Sequence, residues 1–207
     1  RQLADAVPCD FEEKTAYVYA TGSTAGIERE LAAYEQLGIP HHVLPSAPVP
    51  VANRGALGME RQAQFNPLKL LFGLLGLMPS VDVYEHAFVR DVSGNTARTD
   101  RGSVTAGHIV FASHYPLVNM PGLYFMKEHQ ERSYALALEG APLVDGMFIG
   151  DAGGFSFRTY GDFLLVGGGG HRTGQGPKPS EGYAKIRAFA DEAYPGAQER
   201  YAWATQD

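Results

Sequence analysis

Residues 84–116 read YEHAFVRDVSGNTARTDRGSVTAGHIVFASHYP, and no other stretch of the chain says as much about its architecture. Apolar and β-branched residues recur at short intervals, and the segments Ser93-Gly94-Asn95 and Asp100-Arg101-Gly102 have the composition of tight turns. Together with the change of period that begins at Val81, this pattern predicts a three-stranded meander with strands over residues 81–92, 96–99 and 103–112.

Helical periodicity occurs on both sides of the meander. Ser23 or Thr24 can cap a first helix, and Gly38 ends it. Asn66 as N-cap and Pro67 at the first helical position begin a second helix that runs through Leu77. A third helix is predicted from Glu181 to Ala193. The apolar faces carry Ile27, Leu31, Tyr34 and Leu37 in the first helix, and Leu68, Leu71, Phe72 and Leu75 in the second.

Short strands make up much of the remaining sequence. Residues 15–20 (TAYVYA) and 201–204 (YAWA) are rich in aromatic and small apolar residues, whereas residues 41–54 resemble a proline-rich extended connection. A hairpin is predicted from residues 155–158 and 163–168 around the turn 159–162. The sequence therefore predicts an α+β fold, in which a mixed, largely antiparallel sheet has flanking helices.

Composition excludes several classes of function. The 207 residues carry a formal net charge of −6 and scattered Lys and Arg, so a nucleic-acid partner is not expected. The longest apolar stretch, residues 68–78, is too short for a membrane span and contains Lys69. The single Cys9 excludes an intrachain disulfide and a multi-cysteine metal site, and it fits a reducing compartment, so we expect the cytoplasm.

Familiar catalytic motifs do not occur in the chain. There is no GxGxxG, HExxH, GxSxG or CxxC. Residues 169–175 approach a phosphate-binding loop, but Gln175 replaces the required Lys, and a glycine-rich turn explains them better. His41 and His42 are adjacent, so their side chains point apart and no metal site is predicted. Pattern and composition alone therefore give no reaction.

Several separated segments, in order along nearly the whole chain, resemble the central region of FAD-dependent oxidases of the D-amino-acid oxidase and glycine oxidase family. These segments are GALGMERQAQFNPLKL, VYEHAFV, AGHIVFASHYP, ERSYALAL, FSFRTYGDFLLVGG and YAWATQD. The forms FASHYP, ERSYALA, GGGGHRTGQG and WATQD are similar to those of a subgroup whose full proteins end in a Rieske iron-sulfur domain. The resemblance implies FAD as cofactor, and a 2Fe-2S cluster in a C-terminal domain outside this sequence.

The resemblance also implies that residues 1–207 are a fragment, because the chain begins at Arg1 and the family's glycine-rich pyrophosphate turn would precede it. Residues 11–80 and 117–207 would form the substrate-binding domain, and residues 81–116 a β-meander of the FAD-binding domain. The parent enzyme would oxidise a small amine or amino acid by hydride transfer to flavin, and the fragment alone would be inactive. The alternative is a non-catalytic α+β module that binds a small ligand or a protein.

By resemblance, four residues would contact FAD. Val89 would pair with the adenine edge through its backbone N–H and C=O, although a buried core valine fits the same position. Ala112, Ser113 and His114 would end a hydrophobic strand, where ligands of open α/β sheets bind through backbone groups. A structural role suits His114 better than a catalytic one.

For the substrate, Arg158 is the first candidate by resemblance, because it lies in the hairpin segment FSFRTYGD, whose counterpart in the family borders the substrate pocket. A guanidinium holds a carboxylate through two parallel hydrogen bonds. Tyr160 could supply a hydroxyl or a ring wall, yet an arginine before a turn is equally well a solvated surface residue. Arg132 ranks below Arg158, because an ion pair with a nearby glutamate explains it as well. Gln64 could orient a substrate or flavin carbonyl, whereas its neighbour Phe65 could simply pack at the start of the helix.

The sequence departs from the family pattern at one position. Glycine-oxidase-like members place a carboxylate-binding arginine shortly after the position of Trp203, but here Ala204, Thr205 and Gln206 follow. This difference argues against glycine or a simple D-amino acid as substrate.

Overall fold

The computed structural model describes residues 1–115, 122–175 and 179–206. Its helices are α1 (Gln2–Ala6), α2 (Ala25–Leu37), α3 (Pro67–Gly76) and α4 (Pro179–Ala193), with short 3-10 helices at Tyr124–Met126 and Asp151–Gly153. Its strands are β1 (Glu12–Tyr19), β2 (His41–Leu44), β3 (Ala56–Gln64), β4 (Val89–Ser93), β5 (Thr96–Thr99), β6 (Ser103–Thr105), β7 (Glu131–Glu139), β8 (Met147–Gly150), β9 (Ser156–Tyr160), β10 (Phe163–Arg172) and β11 (Gln198–Gln206).

An eight-stranded sheet dominates the structure, with strand order β11-β7-β10-β9-β8-β1-β3-β2. Strands β1 and β8 run parallel, with Ala16 opposite Met147, and the other pairs in this sheet are antiparallel. The predicted α+β class with a mixed, largely antiparallel sheet is therefore confirmed.

The hydrophobic core lies on the face of this sheet that α4 covers. Leu136, Leu164 and Val166 are fully buried there, and the α4 residue Ile186 is buried against them. Phe155 and Phe189 stack with ring centroids 3.9 Å apart. The opposite face of the sheet has no helix of comparable length packed on its centre within the described residues, so its side chains are available to form a site.

The chain divides into two units. The first comprises Arg1–Leu74 and Glu131–Gln206 and contains the eight-stranded sheet. The second, Leu75–Gln130, contains a three-stranded sheet in the order β4-β5-β6. Several large apolar side chains of the second unit are exposed, among them Val110 (85%) and Tyr84 (74%). No helix in the described part of the chain is long and apolar enough to cross a membrane.

Local sequence signals located the helices well. In α2, Gly38 adopts the left-handed conformation that ends the helix (φ 65°), as predicted. In α3, the Asn66 side-chain oxygen accepts hydrogen bonds from the backbone N–H groups of Leu68 and Lys69, which confirms the predicted cap. The predicted hairpin also forms, but β9 extends to Tyr160 and the turn is confined to Gly161 and Asp162.

Three predictions about strands are wrong. Residues 81–88 form no strand, and β6 ends at Thr105, so Ala112, Ser113 and His114 do not end a strand. Among the described residues no neighbouring strand pairs with residues 106–115, and a strand needs such a partner for its backbone hydrogen bonds. The proline-rich connection contains strand β2, which pairs with β3. Residues 116, 176–178 and 207, which belong to the predicted meander, exit loop and final segment, lie outside the described residues.

Candidate functional site

The face of the large sheet opposite α4 presents its side chains in rows, because directly opposed residues of paired strands share one face. One row runs from Tyr201 through Ala137 and Leu165 to Arg158. The next row begins with Trp203 and Ala135 and continues with Gly167. The small residues Ala137, Ala135 and Gly167 in the middle of these rows leave a depression in the surface. The larger side chains around them form its walls.

Two adjoining cavities lie on this face. The first, about 640 Å³, has aromatic walls from Phe65, Tyr160, Phe163, Tyr201 and Trp203. The second, about 530 Å³, shares Arg158, Leu165 and Trp203 with the first and continues toward β8 and β1. A ligand that reaches Arg158 therefore has space on both sides of the guanidinium.

Arg158 is the charged residue that both cavities share, and no aspartate or glutamate lines either of them within the described residues. Its side chain is exposed, and it makes no ion pair or hydrogen bond with the described part of the chain. A free guanidinium beside apolar walls is suited to bind an anion through charge-assisted hydrogen bonds.

Tyr160 lies in the same wall, but its hydroxyl is already hydrogen-bonded. It donates to Asp10 Oδ2 at 2.5 Å and accepts from Asn66 Nδ2 at 2.9 Å. Lys69 Nζ in turn donates to both carboxylate oxygens of Asp10, at 2.9 and 2.7 Å. These contacts hold the Tyr160 ring against the N-terminus of α3, so the ring forms a fixed wall of the cavity.

Electrostatics strengthen this cluster. Hydrogen bonds from Lys69 and then from Tyr160 lower the pKa of the Asp10 carboxyl below its ordinary value. The same contact raises the pKa of Lys69. Both groups are therefore charged at neutral pH and attract each other, which keeps the support of Tyr160 in place.

Gln64 ends β3 beside this cavity and is 7% exposed. Its Nε2 donates to Glu12 Oε2 at 3.0 Å and to the Thr159 carbonyl oxygen at 2.7 Å. Both N–H donors of the amide are consequently occupied. The amide ties the end of β3 to the end of β9, next to Arg158.

Arg132 lies on β7 away from the aromatic cavity and lines neither cavity. Its Nη2 donates to Gln206 Oε1 at 3.3 Å, across the pair formed by β7 and β11. Its Nε is buried without a hydrogen-bond partner in the described part of the chain. The structure thus brings Arg158, Tyr160 and Gln64 together and leaves Arg132 apart from them.

The four residues expected at the cofactor lie in the second unit. Val89 is half-buried at the start of β4, an edge strand. The Phe88 carbonyl accepts a hydrogen bond from the Asp100 N–H, so in an extended chain the backbone groups of Val89 point to the opposite, free edge. Ala112, Ser113 and His114 are exposed, and His114 has a left-handed backbone (φ 64°).

Sequence reasoning missed Asp10. It is 150 residues from Tyr160 along the chain, and it follows no motif, so only the folded contacts identify it. Phe163 and Tyr201 as cavity walls were also missed. Both residues lie in predicted strands, but sequence alone did not reveal that β7 lies between β10 and β11, nor the register that brings the two rings together across it.

Comparison with known proteins identifies the family of the chain. The family model DAO, described as FAD dependent oxidoreductase, matches residues 1–205. The chain is 30% identical over 217 aligned positions to a protein of Bacillus subtilis (strain 168) named "Putative Rieske 2Fe-2S iron-sulfur protein YhfW". That alignment covers 97% of this chain and 42% of the Bacillus protein.

Solved structures show the same fold. Glycine oxidase from Geobacillus kaustophilus superposes with a TM-score of 0.76 at 18% identity, over 99% of this chain and 62% of that one. L-proline dehydrogenase from P. horikoshii gives a TM-score of 0.71 at 13% identity, over 99% and 63%. The chain thus spans less than two thirds of the length of these relatives. Because the family model extends over almost every residue, the chain belongs to the DAO family of FAD-dependent oxidoreductases.

Proposed function

We propose that this chain is the central substrate-binding and partial FAD-binding region of an enzyme that oxidises an amine or amino acid. The observation that carries the proposal is the free guanidinium of Arg158 between two cavities, in a chain that matches the DAO family over residues 1–205. In this role Arg158 binds the substrate carboxylate through two parallel hydrogen bonds.

The residues present suit FAD. The free edge of β4 at Val89 offers one N–H and one C=O, which match the donor and acceptor on the edge of an adenine. The exposed residues Ala112 and His114 offer further backbone donors and acceptors in the same unit, and Ser113 offers its N–H, since its carbonyl already accepts a hydrogen bond from the Tyr115 N–H. FAD held there would supply the acceptor for a hydride from the carbon that bears the amine, and water would hydrolyse the imine that remains.

The remaining candidates have supporting roles. Tyr160 forms a wall of the cavity and does not donate to the substrate, because its hydroxyl already donates its hydrogen bond to Asp10. Gln64 fixes the strand end next to Arg158 through its two amide hydrogen bonds. Arg132 stays the second candidate for the carboxylate, but on β7 it shares a face with the core residue Leu136 and lies on the side opposite the two cavities. The aromatic walls leave fewer sites for water on one side of Arg158, and a ligand that covers them would strengthen the contact between Arg158 and its carboxylate.

We further propose how the chain fits into a longer protein. Residues 11–80 and 117–207 serve as the substrate-binding domain, and residues 81–116 belong to the FAD-binding domain, whose pyrophosphate site lies in another segment. The similarity to a Bacillus protein with a Rieske name supports a 2Fe-2S domain as electron acceptor in that longer protein, which we place in the cytoplasm. Without those parts the 207-residue chain is inactive.

The proposal is tested on the longer protein that contains this chain. We expect the purified protein to show flavin absorbance, and anaerobic addition of amino acids or amines to bleach it. The substitution Arg158→Gln should slow bleaching by an amino acid about tenfold or more, because a charged hydrogen bond contributes roughly 1.5–3 kcal/mol. A protein without flavin absorbance contradicts the proposal and favours a non-catalytic module that binds a small ligand or a protein.

A further inference from the structure

The cavity around Arg158 is larger and more aromatic than a carboxylate alone requires. A carboxylate occupies only the space directly at the guanidinium, whereas about 640 Å³ extends from there between aromatic side chains. Cavities of this size hold ligands with many heavy atoms. The part of the cavity that the carboxylate does not fill therefore indicates the size of the rest of the ligand.

The walls of this space are apolar and partly preformed. Phe163 and Tyr201 contact each other edge to face, with ring centroids 5.8 Å apart. Phe65 is 42% exposed and Trp203 is 36% exposed, so both present ring surface that a ligand can cover. The fixed ring of Tyr160 forms a further wall of this open cavity. Aromatic rings packed against such walls gain both buried area and ring contacts.

The site carries charge of one sign only. Arg158 is the single charged side chain among the described residues that line the two cavities. Two polar amides lie nearby, but both N–H donors of Gln64 and the side-chain oxygen of Asn66 are engaged within the chain. The site therefore complements one negative charge that is attached to a large apolar group.

We infer that the cavity between Arg158 and Trp203 selects a monoanion with a bulky aromatic or aliphatic group, and that the substrate is accordingly an amino acid with a large apolar side chain. The carboxylate lies on Arg158, and the side chain lies among Phe65, Phe163 and Tyr201. The binding part of this inference concerns the cavity alone. Its extension to a substrate rests on the proposed function.

Trp203 makes binding directly measurable, because it is the sole tryptophan of the chain and lies in the cavity wall. The test titrates the 207-residue chain with 3-phenylpropanoate, acetate and 3-phenylpropan-1-ol, and follows tryptophan fluorescence. We expect 3-phenylpropanoate to bind about tenfold or more tightly than either of the others, since each of them lacks one of the two contacts. Equal affinity for acetate and 3-phenylpropanoate would overturn the inference.

Two variants and one control sharpen the test. Arg158→Gln should weaken binding of 3-phenylpropanoate about tenfold, and Phe163→Ala should weaken it while leaving acetate unchanged. Arg98→Gln removes the same charge from an exposed strand position in the other unit and should have no effect. If Arg158→Gln fails to fold, as judged by circular dichroism, Arg158→Met is the second variant that removes the charge, and it should weaken binding by a similar factor. Unchanged affinity in the folded Arg158 variant would refute the inference.

The two proposals fail separately. In the longer protein, faster flavin bleaching by glycine than by phenylalanine would reject the side-chain preference while supporting the oxidase. Saturable binding of 3-phenylpropanoate by a longer protein that carries no flavin would reject the oxidase while supporting the cavity's preference.

Discussion

Asp10 has a left-handed backbone (φ 53°), a conformation that asparagine adopts as readily as aspartate. The carboxylate nevertheless receives hydrogen bonds from Lys69 and from Tyr160, which is 150 residues away along the chain. This one residue therefore connects the segment before β1, the first turn of α3 and the end of β9. Loss of its carboxylate should therefore loosen the cavity wall that the Tyr160 ring forms.

Replacing Asp10 with Asn tests that connection. The depressed pKa of Asp10 means that its contribution to stability is present above the ordinary value of 3.8 and is lost as the pH falls through the lower folded value. We expect Asp10→Asn to lower the melting temperature at pH 7, and the difference from wild type to shrink below pH 3.8. Asp91→Asn, at an exposed position of β4, is the control for the charge change. A pH-independent difference would contradict this account.

Tyr19 gives a prediction at the opposite end of the pH scale. It is fully buried, and its hydroxyl donates to the Phe155 carbonyl at 2.6 Å. Burial, followed by the charge of Asp151, raises the pKa of Tyr19 to about 12. An unfolded tyrosine ionises near pH 10, so the stability from the neutral hydroxyl is complete below about pH 10 and is lost as the pH rises toward 12.

The substitution Tyr19→Phe should therefore have two effects. At neutral pH it should lower the free energy of unfolding by about 1–2 kcal/mol, because the Phe155 carbonyl loses its hydrogen-bond donor. Between pH 10 and 12 the remaining stability should fall less steeply than in wild type, although Tyr194, whose pKa burial also raises to about 12, still contributes. Tyr84→Phe, at a residue 74% exposed, should change neither quantity in urea unfolding curves. Parallel alkaline curves for Tyr19→Phe and wild type would count against the argument.

Residue-level chemistry was only partly foreseeable for the site. Arg158 was identified from the resemblance of its hairpin to the family segment that borders the substrate pocket and from its ability to bind a carboxylate, and in the structure it lines both cavities. Tyr160 was predicted in the same place, but the fate of its hydroxyl depends on Asp10, which no local pattern connects to it. Contacts between residues distant in sequence are set by tertiary packing, which short-range patterns do not contain.

At the scale of elements, the packing of α4 on the sheet depends on a glycine. A Cβ at Gly182 would lie 2.1 Å from a ring carbon of Tyr134, whose hydroxyl is also hydrogen-bonded to His171. In α2, by contrast, a Cβ at Gly26 would meet no atom within 4 Å. The two glycines have the same intrinsic cost in a helix but differ in their surroundings.

This pair gives opposite expectations for one substitution. Gly26→Ala should raise the free energy of unfolding by roughly 0.5–1 kcal/mol through helix propensity. Gly182→Ala should lower it by roughly 1–3 kcal/mol, because Tyr134 must move to admit the methyl group. Chemical denaturation of both variants measures the difference. A stabilised Gly182→Ala protein would show that α4 shifts on the sheet at little cost.

Elements were predictable where local chemistry marks their ends. Asn66 with Pro67, and Gly38, placed the helices because caps act through neighbouring residues. Strand β3 was missed, because Gly58 and the charged Glu60 and Arg61 hide any alternation, and Arg61 even adopts a positive φ of 56°. Strand β6 was predicted too long, since its extent depends on a pairing partner that sequence alone does not reveal.

At the scale of the whole molecule, the matched family and the proposed roles lead to a prediction about the isolated chain. Addition of FAD to the 207-residue chain should give no amine-dependent turnover, because the proposed pyrophosphate-binding turn lies in another segment. Oxygen consumption or dye reduction with a panel of amino acids measures this. The longer protein assayed in parallel is the positive control. Turnover by the chain with added FAD would disprove the proposal that the pyrophosphate-binding turn lies in another segment.

The pairing of β1 with β8 also constrains how the molecule is made. Ala16 lies opposite Met147, and the whole of the second unit is encoded between them. At a synthesis rate of about 5–20 residues per second, β1 waits roughly 7–26 s for its parallel neighbour. During that interval β1 can pair with β3 while its other edge remains unprotected and open to wrong partners. Completion of the first unit therefore waits until β8 and the strands after it have been synthesised, and chaperones that shield open strand edges would matter most during that interval.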